Sequence, residues 1–401
     1  MRLKVTVVTS DFPIPVEPYR GHSEYQVVLA LSKIADVNVL CPFPCYPRWF
    51  QPRYDYRRPD LSYSPSGVAT QYFEYPALPG VTRCVNGWVC AKYLEPYFRE
   101  SVPDVAFNFW LYPEGFATVA VARKLGIPAI VGSIGSDLNR IPDPASKWLT
   151  QLAMKRATFV VTKSEHLRQR AIQMGIDAQK VRTVRNGCNP NVFHLADRSA
   201  ARAQLGVEDK AELVLFVGRL DSQKGIGELL EAFASLASHR PNLRLAYVGD
   251  GSGGERLRSK AKHLSLQDRV LLLGACPSHT VAQWLAAANV LALPSYTEGY
   301  PNVVIEALSC GRPVIATNVG GIPELVREKS GILIAPRDSH ALAEAIETAM
   351  GRNWDERFIS NEFHRGWDEA ADELLRICEL AVQQRREKCH LLAKAPALMG
   401  L

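Results

Sequence analysis

Two carboxylates and two cations are the residues of this 401-residue chain best placed to do chemistry: Glu298, Glu306, Arg219 and Lys224. The apolar run VLALP (Val290 to Pro294) reads as a buried strand and leads into a polar loop holding Glu298 and Gly299. Pro301 suits the first turn of a following helix, because its fixed φ fits there and its missing N–H is not needed. Val304, Ile305, Ala307 and Leu308 are that helix's apolar positions, and Gly311 sits where a left-handed glycine would end it. Glu298 thus precedes the helix while Glu306 lies about a turn and a half inside it. They cannot share one contact point. A single ligand reaches both only if it is elongated, with an anionic middle at the helix start and hydroxyls on either side. A nucleotide sugar has that shape, and carboxylates are strong acceptors for sugar hydroxyls. The plainer alternative makes Glu298 a loop charge and Glu306 an exposed helix residue.

Arg219 and Lys224 follow a second apolar run, ELVLFV, in a turn before a helix from about Gly225. Cations belong electrostatically at a helix C-terminus, so two at a helix start call for an anion between them. The bland alternative is a solvated turn. Gly249, Gly251 and Gly254 spell GxGxxG between a strand and a helix. Alone this indicates a dinucleotide site, but the next strand, RVLLLG, ends without the acidic residue an adenosine ribose needs.

These residues must be held by strands and helices in alternation. LKVTVVTS, a helix over Glu24 to Ile34 and DVNVL open the chain, and the pattern restarts at Glu212. Strand–helix–strand repetition predicts parallel, doubly wound sheets, with ligands beyond the carboxyl ends of the strands. Gly21, in the first such loop, is placed to let backbone approach a ligand. VRTVRNGCNPNVF marks the boundary. The expected division is 1–189, 190–365 and an amphipathic closing helix over 366–385, with a frayed tail after Arg385.

Hydrophobic residues at 47% and charged residues at 22% are ordinary for a soluble globular chain. The longest uncharged run, Thr280 to Thr297, contains Gln283, Asn289, Pro294 and Ser295, and reads as a buried helix and strand. The first residues lack the apolar core of a signal peptide, so a cytoplasmic protein is expected. Nine cysteines occur singly, without CxxC or Cys/His ligand spacing, as reduced thiols would. No DxD or other metal-ligand cluster stands out, so no metal and no cofactor is expected. The net charge of +6 is uneven: Met1 to Pro190 holds 23 Lys+Arg against 15 Asp+Glu, a balance of +8, and the rest holds 24 against 26. No nucleic-acid motif accompanies it. A basic front half suits an anionic membrane surface or is simply a solvated face. Pro42 to Pro79 interleaves Arg48, Arg53, Arg57 and Arg58 with Trp49, Phe50, Tyr54 and Tyr56, which fits either a bilayer's headgroup level or an extended loop packed on the domain.

EGYPNVVIEALSCGRPVIAT with the trailing VGGIPELV closely resembles the donor-site signature of the family-4 retaining glycosyltransferases, and GR…KG at Arg219 to Gly225 matches as well. The resemblance covers nearly the whole chain and is strongest from Asn186 to Val326. It implies the GT-B fold: α/β, two Rossmann-like doubly wound domains facing across a cleft, acceptor in the first and nucleotide sugar in the second. It implies that Glu298 contacts the donor sugar, that Glu306 binds the ribose, and that Gly299, Tyr300, Pro301, Asn302 and Val303 lie at the sugar and phosphates. Arg219 and Lys224 would bind the diphosphate, Gly249 would lie near the base, and Gly21 near the phosphates, although RGHSE has one glycine where many relatives have two. The segment DVAFNFWLYPEGF through GSD would border the acceptor, with Asp137 a hydroxyl contact. Many relatives carry a histidine just before W-L-Y-P; here Phe109 stands there, leaving His22 and His166 as the substitutes to consider. The function implied is retaining transfer from a UDP- or GDP-sugar to a saccharide or lipid-linked hydroxyl, for cell-surface polysaccharide or glycolipid, in the cytoplasm or on the inner membrane face. Arg219, Lys224 and the helix start at Tyr300 to Asn302 would stabilise the charge of the leaving diphosphate, with Glu298 the third catalytic candidate, a phosphate oxygen taking the acceptor's proton. A nucleotide-sugar epimerase of the same fold and a non-catalytic sugar-nucleotide-binding protein stay open, with an NAD-dependent oxidoreductase more distant.

Overall fold

Short uncharged runs of Val, Ile, Leu and Ala form the strands, buried on both faces as parallel sheets require. The structure, a computed structural model, describes residues 2–47, 59–78 and 80–394. Seven strands make the first sheet: β1 (Lys4–Val8), β2 (Asp36–Cys45), β3 (Ala69–Pro76), β4 (Val105–Asn108), β5 (Ala129–Ser133), β6 (Phe159–Thr162) and β7 (Val181–Thr183). Six make the second: β8 (Glu212–Val217), β9 (Leu243–Val248), β10 (Val270–Leu272), β11 (Val290–Leu293), β12 (Val314–Thr317) and β13 (Gly331–Ile334). Among the described residues these strands pair in parallel throughout, in the orders β3-β2-β1-β4-β5-β6-β7 and β10-β9-β8-β11-β12-β13. Helices cover both faces of each sheet. β4 shows why: Val105 and Phe107 enter one core, and Ala106, pointing the other way, enters the opposite one.

The chain divides into one unit running to Asn186 and resuming at Trp367, and a second from Gly187 to Gly366. The resuming segment is one helix, Trp367–Lys394, longer than the 366–385 expected. Its Ala370, Ala371, Leu374, Cys378 and Ala381 are buried in the first unit's core, and Lys33 bonds Asp368 at 2.9 Å.

One expectation needs correction. Pro42 to Pro79 is not a loop throughout: β2 continues to Cys45, and β3 pairs with all of its later half. The prolines hid this. β1 pairs with β2 only as far as Leu40, so from Pro42 onward β2 has a neighbour on one side, where a missing N–H is tolerated. The Arg- and aromatic-rich stretch from Arg48 to Arg58 lies outside the described residues.

Candidate functional site

β8 and β11 are neighbours, and chain order reverses between them. This is the switch point of a doubly wound sheet, where ligands collect beyond the strand ends. Arg219 and Lys224 leave β8 there, and Glu298 leaves β11. The Asp221 carboxylate accepts from the Gln223 N–H at 2.9 Å, fixing the turn that carries Lys224. The Tyr296 N–H donates to the Gln223 carbonyl at 2.8 Å, tying the two loops main chain to main chain. Lys224 Nζ then meets Glu298 Oε1 at 2.6 Å, with side chains only 21% and 10% exposed. Arg219 lies on the same turn but is 76% exposed and faces Asp221 at 3.3 Å. The structure therefore brings Lys224 to Glu298 and leaves Arg219 extended at the rim.

Two glycines set the loop packing. Gly320 has φ 58°, and a Cβ on it would fall on the Glu298 carbonyl oxygen. The Gly321 N–H donates to the Gly299 carbonyl at 3.0 Å. The Gly320-Gly321 pair is a close-packed brace behind Glu298. Gly249, at φ 136°, lies directly against the Gly218 carbonyl, and the Leu220 N–H donates to Asp250 O at 2.8 Å. The GDGSGG turn is thus glycine-rich because it packs on the Arg219 turn.

The helix Asn302–Ser309 begins one residue later than expected, with Pro301 buried as its N-cap. Its first turn offers the positive end of the helix dipole. Tyr300, Asn302 and Val303 are half-buried around it. Arg312, fully buried and bonded to Glu356 at 2.7 and 3.0 Å, fixes the chain just past the helix's far end. Glu306 is half-buried, and its carboxylate makes no hydrogen bond or ion pair among the described residues. Burial pushes its pKa up to about 7.

The candidates in the first unit behave differently. Asp137 is buried and its oxygens are occupied: they accept from Ser133 Oγ at 2.7 Å, the Gly135 N–H at 3.0 Å and the Leu111 N–H at 3.2 Å. Burial, only partly offset by these bonds, raises its pKa to about 6. It holds the loop after β5 to the loop after β4. Gly21, left-handed at φ 55°, precedes the helix His22–Ile34 and is pressed on the Asp11 carbonyl. Phe109 is a core residue, edge-on to Phe107 at 4.7 Å, with Lys163 Nζ 5.6 Å from its ring centroid. His22 is half-buried and its pKa is lowered by burial, while His166 is exposed.

Sequence reasoning missed Glu114. It is 3% exposed, one carboxylate oxygen has no partner, and burial raises its pKa. It lines a cavity of about 580 Å³ with Arg20, Tyr46, Arg83, Trp110 and Tyr112. A lone carboxylate inside the apolar run WLYPEGF was the available signal. No helix among the described residues is long and apolar enough to cross a membrane.

Two parallel, doubly wound sheets with a charged site at the switch point of the second define the class: the fold is GT-B. Solved structures share it over nearly their whole length. HepE of Anabaena in complex with UDP aligns at TM-score 0.68 and 19% identity over 98% of this chain and all of that one. A sucrose-phosphate synthase from Thermosynechococcus elongatus aligns at 0.70 and 22% over the same shares. The family model described as glycosyl transferases group 1 matches residues 197–365, and the glycosyl transferase 4-like domain matches 25–187. The putative teichuronic acid biosynthesis glycosyltransferase TuaC of Bacillus subtilis (strain 168) is 30% identical over 355 residues, 86% of this chain and 88% of the relative. A D-inositol 3-phosphate glycosyltransferase of Segniliparus rotundus is 32% identical over 295 residues, 67% of this chain and 64% of its own. The chain belongs to the group 1, family-4 glycosyltransferases and is a transferase of that kind.

Proposed function

We propose that the protein moves a sugar from a UDP- or GDP-sugar, with retention of anomeric configuration, to a hydroxyl of a saccharide or lipid-linked acceptor in cell-surface polysaccharide or glycolipid synthesis. The observation that carries the reading is the Lys224–Glu298 pair at the switch point, one loop away from a helix start and an unpartnered Glu306. In series these supply a cation for the diphosphate, a carboxylate for sugar hydroxyls, and a second carboxylate for the ribose. As the nucleoside diphosphate leaves, negative charge grows where Lys224, the helix dipole and the reach of Arg219 converge. Preorganised positive groups at such a point are usually the largest catalytic term. Glu298, held by an ammonium, serves to orient the sugar rather than to attack it. A phosphate oxygen of the leaving group takes the acceptor's proton on the same face. The relatives support the donor class and the pathway: HepE is solved with UDP and with UDP-glucose, and TuaC is named for teichuronic acid biosynthesis.

Screening UDP-, GDP- and ADP-sugars for a raised unfolding temperature tests the donor. A UDP- or GDP-sugar should protect the protein; no protection by any of them removes the reading. NMR of the product anomer tests retention, and a trapped glycosyl ester on Glu298 would displace the phosphate-base mechanism.

A further inference from the structure

The residues assigned to the site at β8 and β11 leave out the excess positive charge of the front half of the chain. In the first unit it gathers where β5 and β6 begin, the edge of the sheet opposite its ligand-binding ends. A cavity of about 560 Å³ opens there between Arg123, Lys155, Arg156, Lys180, Arg385 and Lys388. Pro128, Ala129, Ala157 and Thr158 also line it, and among the described residues no Asp or Glu does.

Part of this charge has a local cause. The helices Phe116–Lys124 and Pro144–Arg156 end at the cavity, and their C-terminal dipoles favour Arg123, Lys155 and Arg156. That explanation stops at Arg385 and Lys388, which lie in the body of the helix Trp367–Lys394. Arg385 nonetheless reaches over the cavity: a Cβ on Gly126 would lie 3.7 Å from its guanidinium. Lys180 is half-buried, its ammonium donating to the carbonyls of Ala157 at 2.8 Å and Lys155 at 3.0 Å. Burial and the charge of Arg123 lower its pKa, with only Asp177, outside the lining, acting the other way. Cations drawn from four separate elements thus repel one another across a space with no carboxylate among the described residues of its wall.

We propose that this cavity is a second, non-catalytic site for phosphate groups, either the headgroups of an anionic lipid surface or a soluble polyphosphorylated molecule. Arginines supply planar forks and lysines point charges around a concave floor, which is how phosphate oxygens are met. The volume holds more than one phosphate, and the candidate donor residues, all but Gly21, belong to the other unit.

The test uses the full chain carrying Arg219→Ala and Lys224→Ala, so that the candidate donor clamp does not contribute. Two probes are applied at low salt: vesicles of phosphatidylglycerol in phosphatidylcholine, read by sedimentation against pure phosphatidylcholine, and tripolyphosphate, read by calorimetry. At least one should bind, and added Lys155→Glu and Arg156→Glu should weaken it by about tenfold or more, with salt doing likewise. Sedimentation without tripolyphosphate binding assigns the site to lipid headgroups; the converse assigns it to a soluble ligand. Lys210→Glu with Lys262→Glu, an equal charge change on exposed residues of the second unit, should leave binding intact. If neither probe binds, or if that control loses as much, the proposal is overturned. Should the Lys155/Arg156 variant not fold, Arg385→Glu with Lys388→Glu reads the same wall from another helix. In the otherwise wild-type chain, Lys155→Glu with Arg156→Glu should leave sugar transfer to a soluble acceptor unchanged, which separates failure here from failure of the transferase reading.

Discussion

The carboxylates after β11 and the one after β5 look alike in the sequence and are used in opposite ways. Asp137 gives its oxygens to two main-chain N–H groups and a serine hydroxyl. Glu298 holds one lysine ammonium at the end of a long side chain, and Glu306 has no hydrogen-bond or ion-pair partner among the described residues. A carboxylate whose capacity is spent on main chain is part of the scaffold. One held by a movable side chain, or left bare and half-buried, has capacity to give to a ligand.

The largest effect that sharpens this contrast is expected from Arg219→Ala with Lys224→Ala. Turnover should fall by about three powers of ten or more with the fold intact; near-normal rates would erase the distinction between the two regions. Next is Glu306. Its carboxyl stays protonated in the folded protein up to about pH 7, against 4.5 ordinarily. The stability from that bound proton is whole below about pH 4.5 and is lost as pH rises through 7. Denaturant titrations of wild type and Glu306→Gln should therefore diverge in favour of wild type from pH 8 down to 5, by up to about 3 kcal/mol. Parallel curves would mean the carboxyl is well solvated. Gly320→Ala should cost about 2 kcal/mol, because a Cβ meets the Glu298 carbonyl at a left-handed φ. An unchanged melting temperature would show that the brace yields. Asp137→Asn is expected to be smallest, about 1–2 kcal/mol of stability with the acceptor's KM unmoved. A raised KM at constant stability would put Asp137 beside Glu298 as a ligand contact.

Much of the second unit was legible because its signals are local. Glycine, proline and charge at fixed spacing after apolar runs locate β8, β11, their turns and the helix at Asn302. What could not be read there was pairing: nothing in the spacing says that Lys224 closes on Glu298 while Arg219 turns to Asp221. The first unit was less legible. Its edge strand β3 is TQYFEYP, mixed rather than apolar, and β2 contains two prolines, so both were concealed by features that only a sheet with a one-sided neighbour permits. Glu114 and Asp137 are polar residues whose burial depends on loops far apart in sequence.

The contact between Lys224 and Glu298 has a consequence for how the site fills. An ammonium carries three N–H donors, so on the proposed reading Lys224 turns some of them to the arriving nucleotide while Glu298 stays in reach. Glu298 then shares its counter-charge with the diphosphate and regains acceptor capacity as the sugar comes within reach of it. Occupancy of the nucleotide end readies the saccharide end, and a free sugar offered alone should find its carboxylate already engaged.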